Sequence, residues 1–287
     1  MRQAIKRKAA DGFLYGLMLF ASAAIGAVLI GIIAYILIQS AGGLKLSSAP
    51  GREGIKFFEI QSLFPMIIST AWTVAASLAL ALPVGIITAV YLHEYAVKSR
   101  LSRILGLAID TLAGIPSIIY GLFGLLLFCR VINLGQSIIA GGLTLSIMIL
   151  PVIIRTTEEA LKTVPDSFRE GSLSLGATKL QTIVHAVLPP SIPGILTAAI
   201  LATGRVVGES APVLFTVGIA KNLPKTIFEP GRTLTIHLYY LTKEAISPDD
   251  FAQAFTAAAV LIVLILVINT AVKLIGRSFG QTGENVD

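Results

Sequence analysis

The sequence predicts an all-α polytopic membrane protein with six transmembrane helices and one long amphipathic loop between the fourth and the fifth. Three observations carry that prediction. Of the 287 residues, 55% are hydrophobic and only 13% are charged, whereas a water-facing surface usually needs charged residues at about 25% of the total. Six stretches are apolar and long enough to cross roughly 30 Å of hydrocarbon, which takes about 20 residues in a helix. The loop, by contrast, mixes charges with apolar positions at helical spacing.

The first span is Leu14 to Ile38, within a stretch from Asp11 to Lys45 that holds no intervening acid or base. It exceeds the roughly 7 to 15 residues usual for the apolar region of a cleavable signal peptide. It is therefore assigned to the mature chain, despite the small residues Ser40, Ala41 and Gly42. The second span runs from Pro65 to Leu92, with a kink expected at Pro83 because proline removes a backbone donor and clashes with the preceding turn. The third covers Thr111 to Phe128, where Gly114, Pro116, Gly121 and Gly124 are placed to bend it or to admit a neighbouring helix. The fourth, Gln136 to Ile154, holds Pro151 near its end. The fifth, Gly194 to Gly218, carries two charges, and the sixth runs from Phe251 to Ile275. Six spans return the chain to its starting side, giving a tail at 1–12, a membrane domain at 13–276 with its loop at about 156–190, and a second tail at 277–287.

Lysine and arginine outnumber aspartate and glutamate by 22 to 16, but no clustered basic helix or aromatic-basic motif accompanies the excess. Nucleic acid is therefore not the expected partner; the excess sets orientation instead. With both termini cytoplasmic, thirteen basic residues fall inside and eight outside, the bias that the positive-inside rule asks for. Arg2, Lys6, Arg7 and Lys8, beside the first span, are its strongest part. The expected location is a plasma membrane, multi-pass, with lipid around the chain. One cysteine, Cys129, cannot form an intrachain disulfide, and His93, His185 and His237 are too scattered for a zinc site.

The loop reads as two short helices around a glycine. Pro165 suits a first helical turn, and Ser167-Phe168-Arg169-Glu170 matches a capping box, in which hydroxyl and carboxylate satisfy orphan amides reciprocally. Gly176 permits the turn. Thr178-Lys179-Leu180-Gln181 is a second capping box, after which Leu180, Ile183, Val184, Val187 and Leu188 form one apolar stripe. Pro189, Pro190 and Pro193 are expected to stop this helix before the fifth span. Such a hairpin either lies in the lipid interface or docks its stripe in a groove of a cytosolic partner, and periodicity does not choose between them.

Glu170-Gly171-Ser172, three residues, Gly176, nine residues, Ala186-Val187-Leu188-Pro189 resembles the EAA loop of ATP-binding-cassette importer permeases, whose pattern is Glu-Ala-Ala, three residues, Gly, nine residues, Ile-x-Leu-Pro. Glu170, Gly176, Leu188 and Pro189 agree; Gly171, Ser172 and Ala186 depart from it, each by a small residue. The stretches from Arg169 to Lys179, Gly204 to Thr216 and Ala113 to Gly124 are similar to the phosphate-specific permeases. The ending Ala211-Pro212-Val213-Leu214-Phe215 resembles the PstA type rather than the PstC type. The resemblance implies a type I importer permease that pairs with a second, PstC-like permease. It also implies an ATPase dimer holding ATP and Mg and an extracytoplasmic phosphate-binding protein. In that scheme Glu170, Gly171, Ser172, Gly176, Ala177, Thr178, Lys179, Leu188 and Pro189 belong to the coupling helix gripped by the ATPase. The chain itself carries no cofactor and no catalytic site. Gly171 to Thr178 has P-loop spacing, but Ala177 stands where a lysine must reach the phosphates and no strand precedes it.

Arg205 and Glu209 lie inside the fifth span. A charge there normally faces protein or water and has a partner, since an uncompensated arginine at the bilayer centre costs about 2.5 to 3.5 kcal/mol on insertion scales. Their i, i+4 spacing allows an internal salt bridge. It equally allows Arg205 to guide an oxyanion with its planar fork while Glu209 holds it in place. Gly204 and Gly208 form a small-xxx-small pair beside them. Asp110 is expected at an interface or cap, Glu158-Glu159 on a solvated helix face, and 219–250 as an outer connector or docking surface for the binding protein. The readings set beside phosphate import are a permease for sulfate or molybdate, a stand-alone secondary transporter or channel, and a membrane-embedded enzyme.

Overall fold

The computed structural model describes residues 2–46, 55–96, 99–246 and 248–280. The basic side chains of the N-terminal tail, Lys98, Arg277 and the end of the C-terminal tail lie outside the described residues. Within them the regular structure is all helical, with no strand. In order come α1 (Arg2–Leu46), α2 (Ile55–Val90, continuing as wide turns over Tyr91–Tyr95), α3 (Arg100–Ala113), α4 (Ser117–Gly124, continuing likewise over Leu125–Val131) and α5 (Ile138–Lys162). They are followed by α6 (Asp166–Ser174), α7 (Lys179–Thr182), α8 (Leu188–Gly208), α9 (Ala211–Thr216), α10 (Leu234–Glu244) and α11 (Pro248–Gly280). Five stretches are long and apolar enough to cross alone: Leu14–Ser40, Leu63–Tyr95, Ile138–Lys162, Lys179–Gly208 and Asp250–Leu274. The bent pair α3 and α4 supplies the sixth.

Burial decides the arrangement. α5 is the centre: Ile138, Leu145, Met148, Ile149 and Ile153 are almost fully buried, with α2 on one side and α8 on the other. Glycines set how closely these helices approach. A Cβ at Gly142 would come within 2.8 Å of the Ala76 Cβ on α2, and one at Gly194 on α8 would fall on the Cβ of Ala160 on α5. α1 stays at the edge, packing against α11 where Tyr35 meets Phe255 edge to face at 5.6 Å. Its remaining apolar surface is exposed along Leu14–Ser40.

Hydrocarbon offers no hydrogen-bond partners, so hydroxyls on the spans turn back onto their own helix. On α2, Ser69, Thr70, Thr73 and Ser77 donate to the carbonyls of Pro65, Met66, Ser69 and Thr73 at 2.7–2.8 Å. Pro65 and Pro83 both sit inside α2, which continues through them.

Two expectations are corrected. The third span is not one helix from Thr111 to Phe128: α3 and α4 meet at 100° across Gly114, Ile115 and Pro116. Proline disfavours helical backbone in the residue before it, so Ile115 cannot carry α3 forward. The Tyr120 hydroxyl donates to the Leu112 carbonyl at 2.7 Å and bridges the break. Nor do Pro189, Pro190 and Pro193 end the loop's second helix, which runs unbroken from Lys179 into the fifth span at Gly208. Wide turns over Ile183–Val187, with the Leu188 N–H reaching back to the Ile183 carbonyl, accommodate the missing donors of the following prolines.

Replacing Gly194 by valine should drive α8 away from Ala160 and lower stability by about 1–3 kcal/mol, the usual cost of overpacking. Thermal unfolding of the detergent-solubilised protein measures it.

Candidate functional site

The loop between the fourth and fifth spans folds as a hairpin of α6 and α7. α6 starts at Pro165 with no side-chain cap, so the expected box at Ser167 does not form. The helix begins at Asp166, two residues too early for Ser167 to serve as cap. The box at Thr178 and Gln181 forms in both directions: the Gln181 N–H donates to the Thr178 hydroxyl at 3.3 Å and the Thr178 N–H to the Gln181 carbonyl oxygen at 2.8 Å. Gly176, at φ +84°, makes the turn between α6 and α7 in a conformation that side chains resist. Ser172 meets the Thr182 hydroxyl at 2.9 Å across the hairpin. A Cβ at Gly171 would meet nothing within 4 Å.

Arg169 holds this hairpin to the spans. Its Nη2 donates to the Glu94 carboxylate at 2.8 Å and to the Leu161 carbonyl at 3.1 Å, while Nη1 donates to the Val164 carbonyl at 2.9 Å and Asp166 at 3.2 Å. One guanidinium thus joins the cytoplasmic ends of α2 and α5 to α6, with both partners of the central ion pair largely buried. Lys179, at the start of α7, lies 4.6 Å above the Tyr95 ring, a second tie to the end of α2. Arg155 does the same for α3, donating to Asp110 at 2.6 and 2.9 Å, the Gly106 carbonyl at 3.1 Å and Glu158 at 2.8 Å. Asp110 is therefore an interfacial ion-pair partner. Glu158 is buried against Arg155, not solvated as expected, whereas Glu159 is exposed and bonds Lys162 at 2.7 Å.

The apolar stripe splits. Ile183 and Val187 are buried and Leu188 is half-buried against the lower core, but Leu180 and Val184 are exposed. With Phe168, Leu173 and Leu175, the last 90% exposed, they cover the loop's outer side. The Glu170 and Pro189 side chains are exposed beside this patch, while Ala177 is half-buried.

At the far end of α8 the helix stops at Gly208, and Glu209 is extended at φ −75° and ψ 134° before α9 begins. Arg205 and Glu209 are thus not both helical, yet Nε and Oε1 lie 3.9 Å apart. That distance is an ion pair and not a hydrogen bond. Among the described residues the Arg205 guanidinium donates no hydrogen bond, and it is half-exposed. A side chain at Gly204 or Gly208 would meet nothing within 4 Å, so this end of α8 presents an open, small-residue face next to the charges.

The outer connector folds back on this end. The Thr235 hydroxyl donates to the Val207 carbonyl, and the Leu234 N–H donates to the Thr70 hydroxyl at 2.9 Å. Within it Arg232 is buried, and the His237 Nδ1 is buried with no hydrogen-bond partner. Burial, with the nearby positive charges of Arg232 and Lys221, pushes the His237 imidazole down to about 4. Sequence reasoning had placed Arg232 and Lys221 in this loop without seeing them act on a buried histidine. It had also missed Glu94 and the partners of Arg169; the only hint was Glu94 amid the aromatic end of the second span, Tyr91 to Tyr95.

Residues 81–281 match the family described as binding-protein-dependent transport system inner membrane component. The chain belongs to that family. It is 33% identical over 292 residues to the probable ABC transporter permease protein YqgI of Bacillus subtilis, covering 95% of this chain and 97% of that one. Over 198 residues it is 40% identical to the phosphate transport system permease protein PstA 1 of Mycobacterium tuberculosis, covering 68% of this chain and 64% of the relative. It is 33% identical over 228 residues to PstA of Haemophilus influenzae, covering 79% and 77%. A solved inward-facing structure of the MetNI methionine ABC transporter overlays at a TM-score of 0.61 with 22% identity, over 79% of this chain and 98% of that one. This binding-protein-dependent permease is thus a multi-pass inner-membrane subunit of an ABC importer and is not itself the catalytic subunit. The family implies ATPase partners and a second permease.

Two outcomes follow from the geometry. Glu94→Gln or Arg169→Gln alone should cost about 3 kcal/mol by leaving a buried charge unmatched, and the double variant less than the sum; thermal unfolding of the purified permease reads both. His237 binds its proton more readily unfolded, where its pKa is near 6.5, than folded, at about 4. Stability is therefore complete above pH 6.5 and falls by about 1–2 kcal/mol as pH drops through that window, the half-exposed setting limiting the loss. His237→Gln should flatten the dependence between pH 6.5 and 4.

Proposed function

We propose that this chain is the PstA-type subunit of a phosphate importer, moving inorganic phosphate inward by alternating access that a separate ATPase drives. The observation that carries the reading is Arg205. Where α8 breaks, a guanidinium whose donors meet no protein acceptor among the described residues stands beside an open glycine face. Arginine's planar N–H fork matches a tetrahedral oxyanion. Relatives named as phosphate permeases, 33% identical over 228 residues and 40% over 198, support the same substrate.

Glu209, at 3.9 Å, tempers the site. A fully unpaired arginine would hold a dianion too tightly to release it, and a fully bonded one would not accept it. The glycine face beside it suits close approach of the second permease, taken here to be PstC-like, so that the anion passes between the two subunits. An extracytoplasmic phosphate-binding protein delivers the anion to the outer loops.

ATP and Mg belong to the ATPase dimer, since Ala177 leaves the Gly171 to Thr178 segment without a phosphate-binding lysine. The dimer grips Glu170, Gly171, Ser172, Gly176, Ala177, Thr178, Lys179, Leu188 and Pro189, with the exposed Phe168, Leu173 and Leu175 entering its groove. Both termini are cytoplasmic in this arrangement, on the side of the coupling loop.

Arg205→Gln in the reconstituted importer should assemble normally and lower phosphate uptake about 10- to 100-fold, the rate equivalent of one charge-assisted hydrogen bond. Uptake of labelled phosphate into proteoliposomes measures it, with excess sulfate and molybdate leaving wild-type uptake unchanged. Undiminished uptake by the variant removes Arg205 from the path, and strong competition by either anion reassigns the substrate.

A further inference from the structure

The outer connector holds a positive charge that the Arg205 reading does not use. Arg232 is only 8% exposed. Its Nε donates to the Ile219 carbonyl at 3.0 Å, and its guanidinium lies 4.9 Å from the centre of the Tyr240 ring. Backbone and ring together fix the plane of the group. Its two Nη atoms donate no hydrogen bond among the described residues, and no described carboxylate lies within 4.0 Å of it.

The other arginines that are not exposed, Arg155, Arg169 and Arg205, set the contrast. Arg155 and Arg169 each engage two carboxylates and at least one backbone carbonyl, and Arg205 has Glu209 at 3.9 Å. All three are more exposed than Arg232. Burial of an ion without a counter-charge is expensive, so native proteins pair such groups. Here the surroundings add positive charge instead: Lys221 and Arg232 both act on His237, which is half-buried with its Nδ1 buried and unpartnered. Glu229, the acid nearest in sequence to Arg232, is engaged by the Lys225 amide at 2.8 Å. A cation oriented by a carbonyl and an aromatic face, with its paired N–H groups left over and no acid beside it, is built to receive an anion from elsewhere.

Position supplies the rest of the argument. The connector is pinned to the end of α8 through the Thr235 hydroxyl and the Val207 carbonyl, two residues from both Arg205 and Glu209. It is pinned to α2 where a Cβ at Gly231 would meet the Ser69 hydroxyl at 2.7 Å. The geometry points to the Arg232 guanidinium, clamped between the Ile219 carbonyl and the Tyr240 ring, as an outer oxyanion-binding site separate from Arg205. This site takes a tetrahedral oxyanion as it leaves the binding protein and holds it before it reaches Arg205. The inference rests on the proposal that phosphate passes along this chain, and it adds a second station with a different balance of charge. The outer one lacks an acid and captures; the inner one has Glu209 and releases.

The test uses the complete importer, with its ATPase, second permease and binding protein, in proteoliposomes. Arg232→Gln should lower phosphate uptake about tenfold while binding-protein-stimulated ATP hydrolysis stays within about twofold. Arg232→Lys, which keeps the charge and loses the fork, should fall between. A second measurement reports binding directly. With only this chain's three histidines isotope-labelled, inorganic phosphate should raise the His237 pKa in the wild type by offsetting the local positive charge, and should leave it unmoved in Arg232→Gln. Unchanged uptake in both variants, failure of both to assemble, or a His237 signal indifferent to phosphate in the wild type would each overturn the site. The Arg205 reading is judged apart. Loss of uptake in Arg205→Gln with Arg232→Gln unaffected sinks the outer site alone, and the reverse pattern sinks Arg205 as the inner one.

Discussion

The constraint on which the structure depends is the absence of hydrogen-bond partners in hydrocarbon. Each backbone amide must be satisfied by its own helix, so a break in a span is costly and persists only where something else compensates. The breaks here are few and placed. One lies between α3 and α4, bridged by Tyr120. Another is the widened turn at Ile183–Val187, which lets three prolines sit in a continuous helix. The third is at Glu209, where α8 gives way to α9. The second of these adjoins the hairpin around Gly176 and the third separates Arg205 from Glu209, while further wide turns lie over Tyr91–Tyr95 and Leu125–Val131.

The arginines divide along the same axis. At the end that carries the hairpin around Gly176, Arg155 and Arg169 are saturated by carboxylates and carbonyls, which ties helix ends together. Toward the outer side Arg205 and Arg232 keep donors free. A saturated guanidinium has little left to offer a passing anion, whereas an undersaturated one attracts it and pays a desolvation cost until it arrives. Among the arginines that are not exposed, the two ends of the bundle thus differ in how fully each guanidinium is paired.

Composition and hydropathy made the spans legible, and the first, second, fourth and sixth lie close to where their apolar runs place them, whereas the fifth runs from Lys179 to Gly208 and not from Gly194 to Gly218. Local chemistry carried Gly176 and the Thr178 box, because positive φ and a reciprocal cap are written in neighbouring residues. The Ser167 box failed for a related reason: Pro165 and Asp166 open the helix first, and a motif match does not fix the register. The break at Ile115 was visible only as a possible bend, since glycine and proline mark a site of distortion without giving its angle. The partners of Arg169 and Arg232 were not legible at all. Glu94 is 75 residues from Arg169, and such pairing depends on how α2, α5 and α6 pack, which periodicity within each helix does not encode. For the same reason Glu158, one of two adjacent acids, gave no sign of facing inward.

α2 connects the two functional ends. Its cytoplasmic end is gripped by Arg169 through Glu94 and by Lys179 through Tyr95. Its outer end caps α10 through Thr70 and abuts Gly231 through Ser69. Glu94 and Thr70 are 24 residues apart on one helix, about 36 Å at the usual rise. Between them the hydroxyls of Thr73 and Ser77 are turned onto their own backbone, and Ala76 sits against Gly142 of α5, so the span has few groups free to repack independently. A rigid element held at both ends moves both when one is displaced. Through these contacts one helix joins the hairpin around Gly176 to the connector that carries Arg232 and, through Thr235, to the end of α8 that carries Arg205.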